Sequence, residues 1–339
     1  MRTLSAFLLA ALVACVAAGQ TAPSPEPLTL ERALAVAPGA SASVSAAQAA
    51  LTSAERDDAR VSSDPMSLRV DRITADNGLT NAHRSLAAAL AGNTLDVASA
   101  YFAAMETDTA LSIAELNADI QQRTLRAQQA RKQAGAATDI DVAQAQNAYQ
   151  QAQATLADAR TQRTLAYSSL ASLLGQDIGK LAPVTTTPTL DTLEHYLGAA
   201  DQTNAQLVAT RGAVTLAQAQ YDASNNDFSP KSAIQQAQDT LGDARRQVQE
   251  TRRTLELAVR SAHANAQAAI AALANARDAD ATAQANLESA KAQLDAGSIS
   301  PLAYQNDQLT RQQAAQTLDS AQHAVILKIY TLAQVVAGT

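Results

Sequence analysis

The stretch Arg131-Lys132-Gln133-Ala134-Gly135-Ala136-Ala137-Thr138-Asp139-Ile140-Asp141-Val142 decides the reading of the chain. Before it lie some fifty residues rich in Ala, Gln, Leu and Arg, all good helix formers; after it the same composition resumes. Gly135 stands where a helix ends on a left-handed residue, and Thr138 stands where the next helix needs a side-chain cap. The segment therefore reads as the tight turn of an antiparallel helical hairpin. Ala296-Gly297-Ser298-Ile299-Ser300-Pro301-Leu302-Ala303-Tyr304 repeats the signal 162 positions later, with Ser300 as cap and Pro301 at the first helical position.

The same offset of 162 places Leu95 on Leu257, Ala98 on Arg260, Leu111 on Leu273, Leu125 on Leu287, Leu156 on Leu318 and Leu170 on Leu332, with no gap. Upstream, an offset of 165 places Leu51 on Leu216 and Pro65 on Pro230, and one of 163 places Leu30-Glu31 on Leu193-Glu194. The chain is thus two tandem repeats, each reading as linker, short helix, break, long helix, turn and second helix. Their bounds are residues 28–175 and 193–338, joined by an extended linker over 176–192, where Pro183-Val184-Thr185-Thr186-Thr187-Pro188 cannot continue a helix.

The helices carry alternating three- and four-residue spacing of small apolar side chains. Leu255, Val259, Ala262, Ala266, Ala269, Leu273, Ala276, Asp280, Ala283, Leu287, Ala290 and Leu294 form one seam, interrupted only by Asp280; Tyr149, Ala152, Leu156, Ala159, Arg163, Ala166, Leu170 and Leu173 form another. A helix from Ala82 to Ala134 would run roughly 80 Å. Alanine seams bury little area each, so such helices need neighbours along their whole length, and association of several copies is expected. The fold class is all-α: long antiparallel coiled-coil hairpins in two repeats, with little or no β-strand.

Composition agrees. Aromatic residues make up 3% of the 339, Gly and Pro number 12 and 9, and roughly a quarter of the chain is Ala. That excludes a β-sandwich or an ordinary α/β domain, which need bulky core residues and frequent turns. A net charge of −7, with 25 basic residues interspersed among 32 acidic ones, leaves no footprint for nucleic acid. His83, His195, His263 and His323 stand far apart, and neither a phosphate loop nor a nucleophile elbow occurs. No catalytic, cofactor or metal site is expected.

The N-terminus reads as an export signal over residues 1–22: Arg2, then the apolar run Leu4 to Val16, then small residues. Two processing routes fit. Cleavage before Gly19 follows the ordinary pattern, whereas Leu12-Val13-Ala14-Cys15 resembles the bacterial lipobox, with Cys15 lipidated. No later run reaches the ~20 apolar residues of a spanning helix.

Leu28-Thr29-Leu30-Glu31-Arg32-Ala33-Leu34, the two turns, and the ending Leu170-Ala171-Ser172-Leu173-Leu174-Gly175 together resemble the TolC family of outer membrane efflux proteins. The resemblance covers nearly the whole chain after the signal. It implies a homotrimer whose hairpins form a hollow α-barrel in the periplasm, attached to the outer membrane, docking a periplasmic adaptor protein of an inner-membrane pump. The docking turns carry over to Gly135, Thr138, Val142, Gly297 and Ser300. The family narrows its tip with acidic residues just past the turns: Asp141 matches in the first repeat, and Asn306 and Asp307 lie near that place in the second. Ile299 and Leu294 stand where some members carry basic and tyrosine partners, so a salt-bridged closed gate is not expected. The family also inserts a β-hairpin between short and long helices, and a spanning hairpin needs about 22 residues. The window Asp64 to Thr80 holds 17 and Asn225 to Lys231 holds 7; Met66 to Ile73 alternates, but Arg69, Asp71 and Arg72 would be costly on a lipid face, and a partner strand is missing. The membrane barrel is expected to be missing. The alternative function is a non-conducting periplasmic coiled-coil spacer that tethers envelope layers.

Overall fold

A hairpin of Ala-rich helices can hold together only where larger side chains interrupt the alanines, and those places fix the architecture. In a computed structural model, which describes residues 27–184 and 186–338, they gather at mid-length. The expected signal segment and Cys15 lie outside the described residues.

Among the described residues eight helices run in two sets of four: α1 (Leu30–Ala40), α2 (Ala42–Ser63), α3 (Arg69–Gln133), α4 (Asp139–Leu174), then α5 (Leu193–Thr203), α6 (Ala205–Ser224), α7 (Lys231–Asp295) and α8 (Pro301–Ala337). The duplication is visible in the caps. Thr29 and Thr192 cap α1 and α5, Ser41 and Asn204 cap α2 and α6, and Thr138 and Ser300 cap α4 and α8. Helices α3 and α7 are both 65 residues long, roughly 100 Å.

Three features depart from the sequence reading. The expected single short helix of each repeat is two, broken at Ser41 and Asn204, whose side chains turn back to cap the following helix. Helix α3 begins at Arg69, thirteen residues before the expected start, so most of the alternating segment Met66 to Ile73 is helical. Its polar Arg69, Asp71 and Arg72 face outward on the helix. Third, the turn before each long helix aligns at the offset of 162, equating Asp64 with Asn226 and not Pro65 with Pro230.

Among the described residues no strand forms; the sole β-type contact is a parallel bridge between Leu28 and Leu181. The α2–α3 and α6–α7 connections are turns, as the missing hairpin windows led one to expect. No single described helix is long and apolar enough to cross a membrane.

Helices α3 and α7 are spines. On the half nearer the hairpin turns, helices lie side by side in the order α4, α3, α8, α7; on the other half the order is α2, α3, α6, α7. Buried Val97, Tyr101, Phe102, Leu170, Leu174 and Ile326 form the main core, closed by Leu28, Leu30, Ala33 and Ala37. Tyr101 donates its hydroxyl hydrogen bond to the carbonyls of Leu28 (2.7 Å) and Ala182 (2.6 Å), pinning the start of α1 and the linker to α3. His263, at the equivalent position of α7, lies 3.1 Å through Nε2 from the carbonyl oxygen of Asp191, the residue equivalent to Leu28. The same tie is made twice with different side chains.

Candidate functional site: the hairpin turns and the polar ties behind them

Both hairpin turns close with the same hydrogen bonds. After α3, the Gly135 amide donates to Lys132 O (2.9 Å) and that of Ala136 to Arg131 O (2.8 Å); after α7, Gly297 donates to Leu294 O (2.9 Å) and Ser298 to Gln293 O (2.8 Å). This is the Schellman arrangement, which requires a left-handed residue. Gly135 and Gly297 supply it, with φ of 74° and 71°.

The cap that follows differs between repeats. Thr138 accepts from the Asp141 amide (3.2 Å), and the Asp141 carboxylate accepts in return from the Thr138 amide (2.7 Å) and hydroxyl (2.8 Å). These bonds, the backbone one foremost, hold the Asp141 carboxyl below the usual carboxylate range. Lys132 pairs with Asp139 across the turn. In the second repeat Ser300 accepts from the Ala303 amide (3.1 Å) and no acid closes the box. The first turn therefore presents fixed charge and the exposed Ile140, whereas the second is nearly uncharged. Asp141 and Val142 are half-buried on the first turn of α4; Asp307 is half-buried on α8, about one helical turn beyond Ala303.

Behind the turns, acid–base groups tie neighbouring helices. Asp108 of α3 accepts from Arg163 Nε (2.5 Å) and Tyr167 Oη (2.5 Å) of α4, while the Arg163 guanidinium lies 4.6 Å over the Tyr167 ring. Partial burial and that carboxylate push the Tyr167 phenol up to about 12. On the other side of α3, buried His323 of α8 stacks on Phe102 at 4.3 Å and lies 3.1 Å from Glu106 Oε1 through Nδ1. Asp280, the break in the α7 seam, points at α8: its Oδ1 lies 3.2 Å from Arg311 Nη1, a charge contact without hydrogen-bond geometry, since Arg311 Nε donates to Gln284 instead.

Sequence reading located both turns but missed the Asp108–Arg163–Tyr167 and Glu106–His323 ties. Arg163 in an otherwise small-residue seam was the available signal. Among the described residues no three His, Cys, Asp or Glu side chains gather as metal ligands.

Residues 75–176 match the family described as outer membrane efflux protein. Among curated proteins no sequence match is found. Solved structures share the fold. A membrane protein from Pseudomonas aeruginosa superposes with a TM-score of 0.66 at 15% identity, over 91% of this chain and 93% of that one. The outer membrane protein VceC from Vibrio cholerae gives 0.64 at 16% identity, over 91% and 96%. The Campylobacter jejuni CmeC outer membrane channel gives 0.67 at 12% identity, over 91% and 85%. The chain has the helical fold of TolC-like outer membrane channels, as the sequence resemblance implied.

Proposed function

We propose that this chain is the protomer of a homotrimeric helical conduit, the outer membrane channel component of an efflux or type I secretion system. It is exported, lies mostly in the periplasm, and docks a periplasmic adaptor of an inner-membrane pump through its hairpin turns. The observation that carries the reading is the pair of open edges. On the half nearer the hairpin turns α4 packs lengthwise on α3 alone and α7 on α8 alone, so the α4–α3–α8–α7 layer ends on both sides with an open helix face. Leu165 on one edge, and Leu257 and Ile270 on the other, stand exposed. Two different edges that complement each other generate a ring when the rotation closes. The match to the outer membrane efflux protein family supports the transport role.

The docking turns in this reading are Gly135, Thr138, Val142, Gly297 and Ser300, and Asp141 and Asp307 line the mouth. The test is export. Cells dependent on this chain and its own pump should lose pump-driven dye efflux when Gly135→Val and Gly297→Val are combined, while the protein stays in the envelope at normal abundance. Undiminished efflux with both turns altered would overturn the docking assignment.

The spacer reading draws on one observation: the connections that would carry membrane strands are five residues (64–68) and six (225–230). Purified protein reconstituted in planar bilayers separates the two. Discrete conductance supports the conduit; a silent bilayer together with unimpaired dye efflux in the deletion strain supports the spacer.

A further inference from the structure

At the end of the molecule opposite the hairpin turns, the chain makes one small turn twice. In the first, Asp64 Oδ1 accepts from the Met66 amide (2.9 Å) and the Ser67 amide donates to Asp64 O (3.1 Å). In the second, Asn226 Oδ1 accepts from the Phe228 amide (2.9 Å) and the Ser229 amide donates to Asn226 O (3.2 Å). Each turn thus fixes one large apolar residue in the same place. Met66 is 83% exposed and Phe228 98%, the two most exposed large apolar side chains among the described residues, and Leu68 beside Met66 is 67% exposed.

A cation follows at the equivalent position in both turns. Arg69 and Lys231 are the first residues of α3 and α7. A helix N-terminus favours acids and disfavours cations, so neither is placed there for the helix's sake. Arg69 reaches Asp222 only at 3.7 Å and is 74% exposed; Lys231 has no acidic partner within ion-pair distance among the described residues. Of the nearby acids, Asp64 bonds into its own turn and Asp71 accepts from the Leu68 amide (3.3 Å), while Asp227 is exposed.

We propose that these two turns form a lipid-contact surface, in which Phe228, Met66 and Leu68 enter the interfacial layer of a bilayer and Arg69 and Lys231 meet headgroup phosphates. The proposal rests on the conduit reading, which sets three copies of the surface around one ring. The pattern fits lipid better than protein. Phe228 on one turn, and Met66 with Leu68 on the other, stand exposed next to a cation each, which matches an interface of acyl chains beneath phosphates. A protein partner would call for a contiguous apolar patch. The surface occupies the place where the sequence windows are too short for spanning strands, so attachment here is peripheral.

The chain contains no Trp, so Phe228→Trp makes a sole reporter, and Ile140→Trp does the same at the opposite end. Each full-length protein is added to vesicles of phosphatidylethanolamine and phosphatidylglycerol, with and without brominated acyl chains, and its molar mass is measured by light scattering. Trp at 228 should shift to the blue and be quenched by bromine, while Trp at 140 should do neither. Because depth is read at one residue, a lipid on Cys15 cannot imitate the result. In a Cys15→Ser background, Met66→Ser with Phe228→Ser should weaken vesicle binding at least about tenfold, as expected for withdrawing two large apolar side chains from the bilayer. Helicity should be unchanged. A trimer whose Trp at 228 keeps its aqueous emission on vesicles overturns the lipid surface and leaves the conduit standing. Quenching at 228 in a monomer or dimer supports the lipid surface and overturns the conduit. A mass of two trimers that falls on Phe228→Ser, without quenching, makes the surface a contact between copies and overturns the proposal.

Discussion

Thr138 and Asp141 hold each other through three hydrogen bonds, and that reciprocity makes the first turn a rigid element. Thr138→Ala should cost about 1 kcal/mol of helix stability and let the Asp141 carboxyl rise toward its ordinary value of 3.8, read by NMR titration. The sign follows from a depressed folded pKa: the cap is fully present above about 3.8 and is lost as pH falls through the lower folded value. A Thr138→Ala protein whose Asp141 titrates as before would show that the backbone amide, which alanine keeps, holds the carboxyl down without the hydroxyl. Tyr101 behaves in the opposite sense. Its phenol is pushed up to about 12 by burial, so its contribution is intact below 10 and disappears as pH rises from 10 to 12. Tyr101→Phe takes the hydroxyl donor from the Ala182 carbonyl, while the Leu28 carbonyl keeps the Ala182 amide (2.8 Å), and should cost about 1–3 kcal/mol in urea denaturation; no change would mean that water replaces the hydroxyl. Residues acting within one turn were legible in the sequence, because a glycine at φ near 70° and a Thr at a cap declare themselves locally. Asp108, Arg163 and Tyr167 were not, since their meeting depends on how far two helices slide past each other.

At the scale of the element, the length of α3 shows what limits a pattern argument. Alternation over Met66 to Ile73 imitated a strand, but Arg69 onward had a long helix to join, and propagation adds one hydrogen bond for each residue fixed. The break at Asn204 escaped notice because it is a single cap without Gly or Pro beside it, whereas Pro38-Gly39 just before Ser41 did offer a signal for the other. The α7 seam was legible: Val259, Ala262, Ala266, Leu273, Ala276 and Ala290 are all buried. Its interruption gives a further prediction. The Asp280 and Arg311 side chains are 17% and 28% exposed, so Arg311→Met alone leaves a largely buried carboxylate and should lower stability by about 3 kcal/mol or somewhat less. Adding Asp280→Ala should restore most of that loss, since a pair replaced by apolar side chains is often neutral. A double variant as unstable as the single would locate the effect in packing rather than charge.

The whole molecule is a layer of helices with two raw edges, along which caps and glycines recur at nearly constant offset. How the layer closes was not legible, since alanine seams specify contact without specifying which copy supplies it. Leu165 on α4 and Ile270 on α7 lie at matching height, each about 25 residues from its hairpin turn. Within one protomer α3 and α8 separate them, far beyond the ~7 Å over which a disulfide can form. The most direct test of the trimeric conduit is therefore oxidation of a chain carrying Leu165→Cys and Ile270→Cys in a Cys15→Ser background, followed by denaturing electrophoresis. The ring requires covalent dimers and trimers with nothing larger, while each single variant stays monomeric. An open-ended ladder, or monomer alone in the double variant, would contradict it.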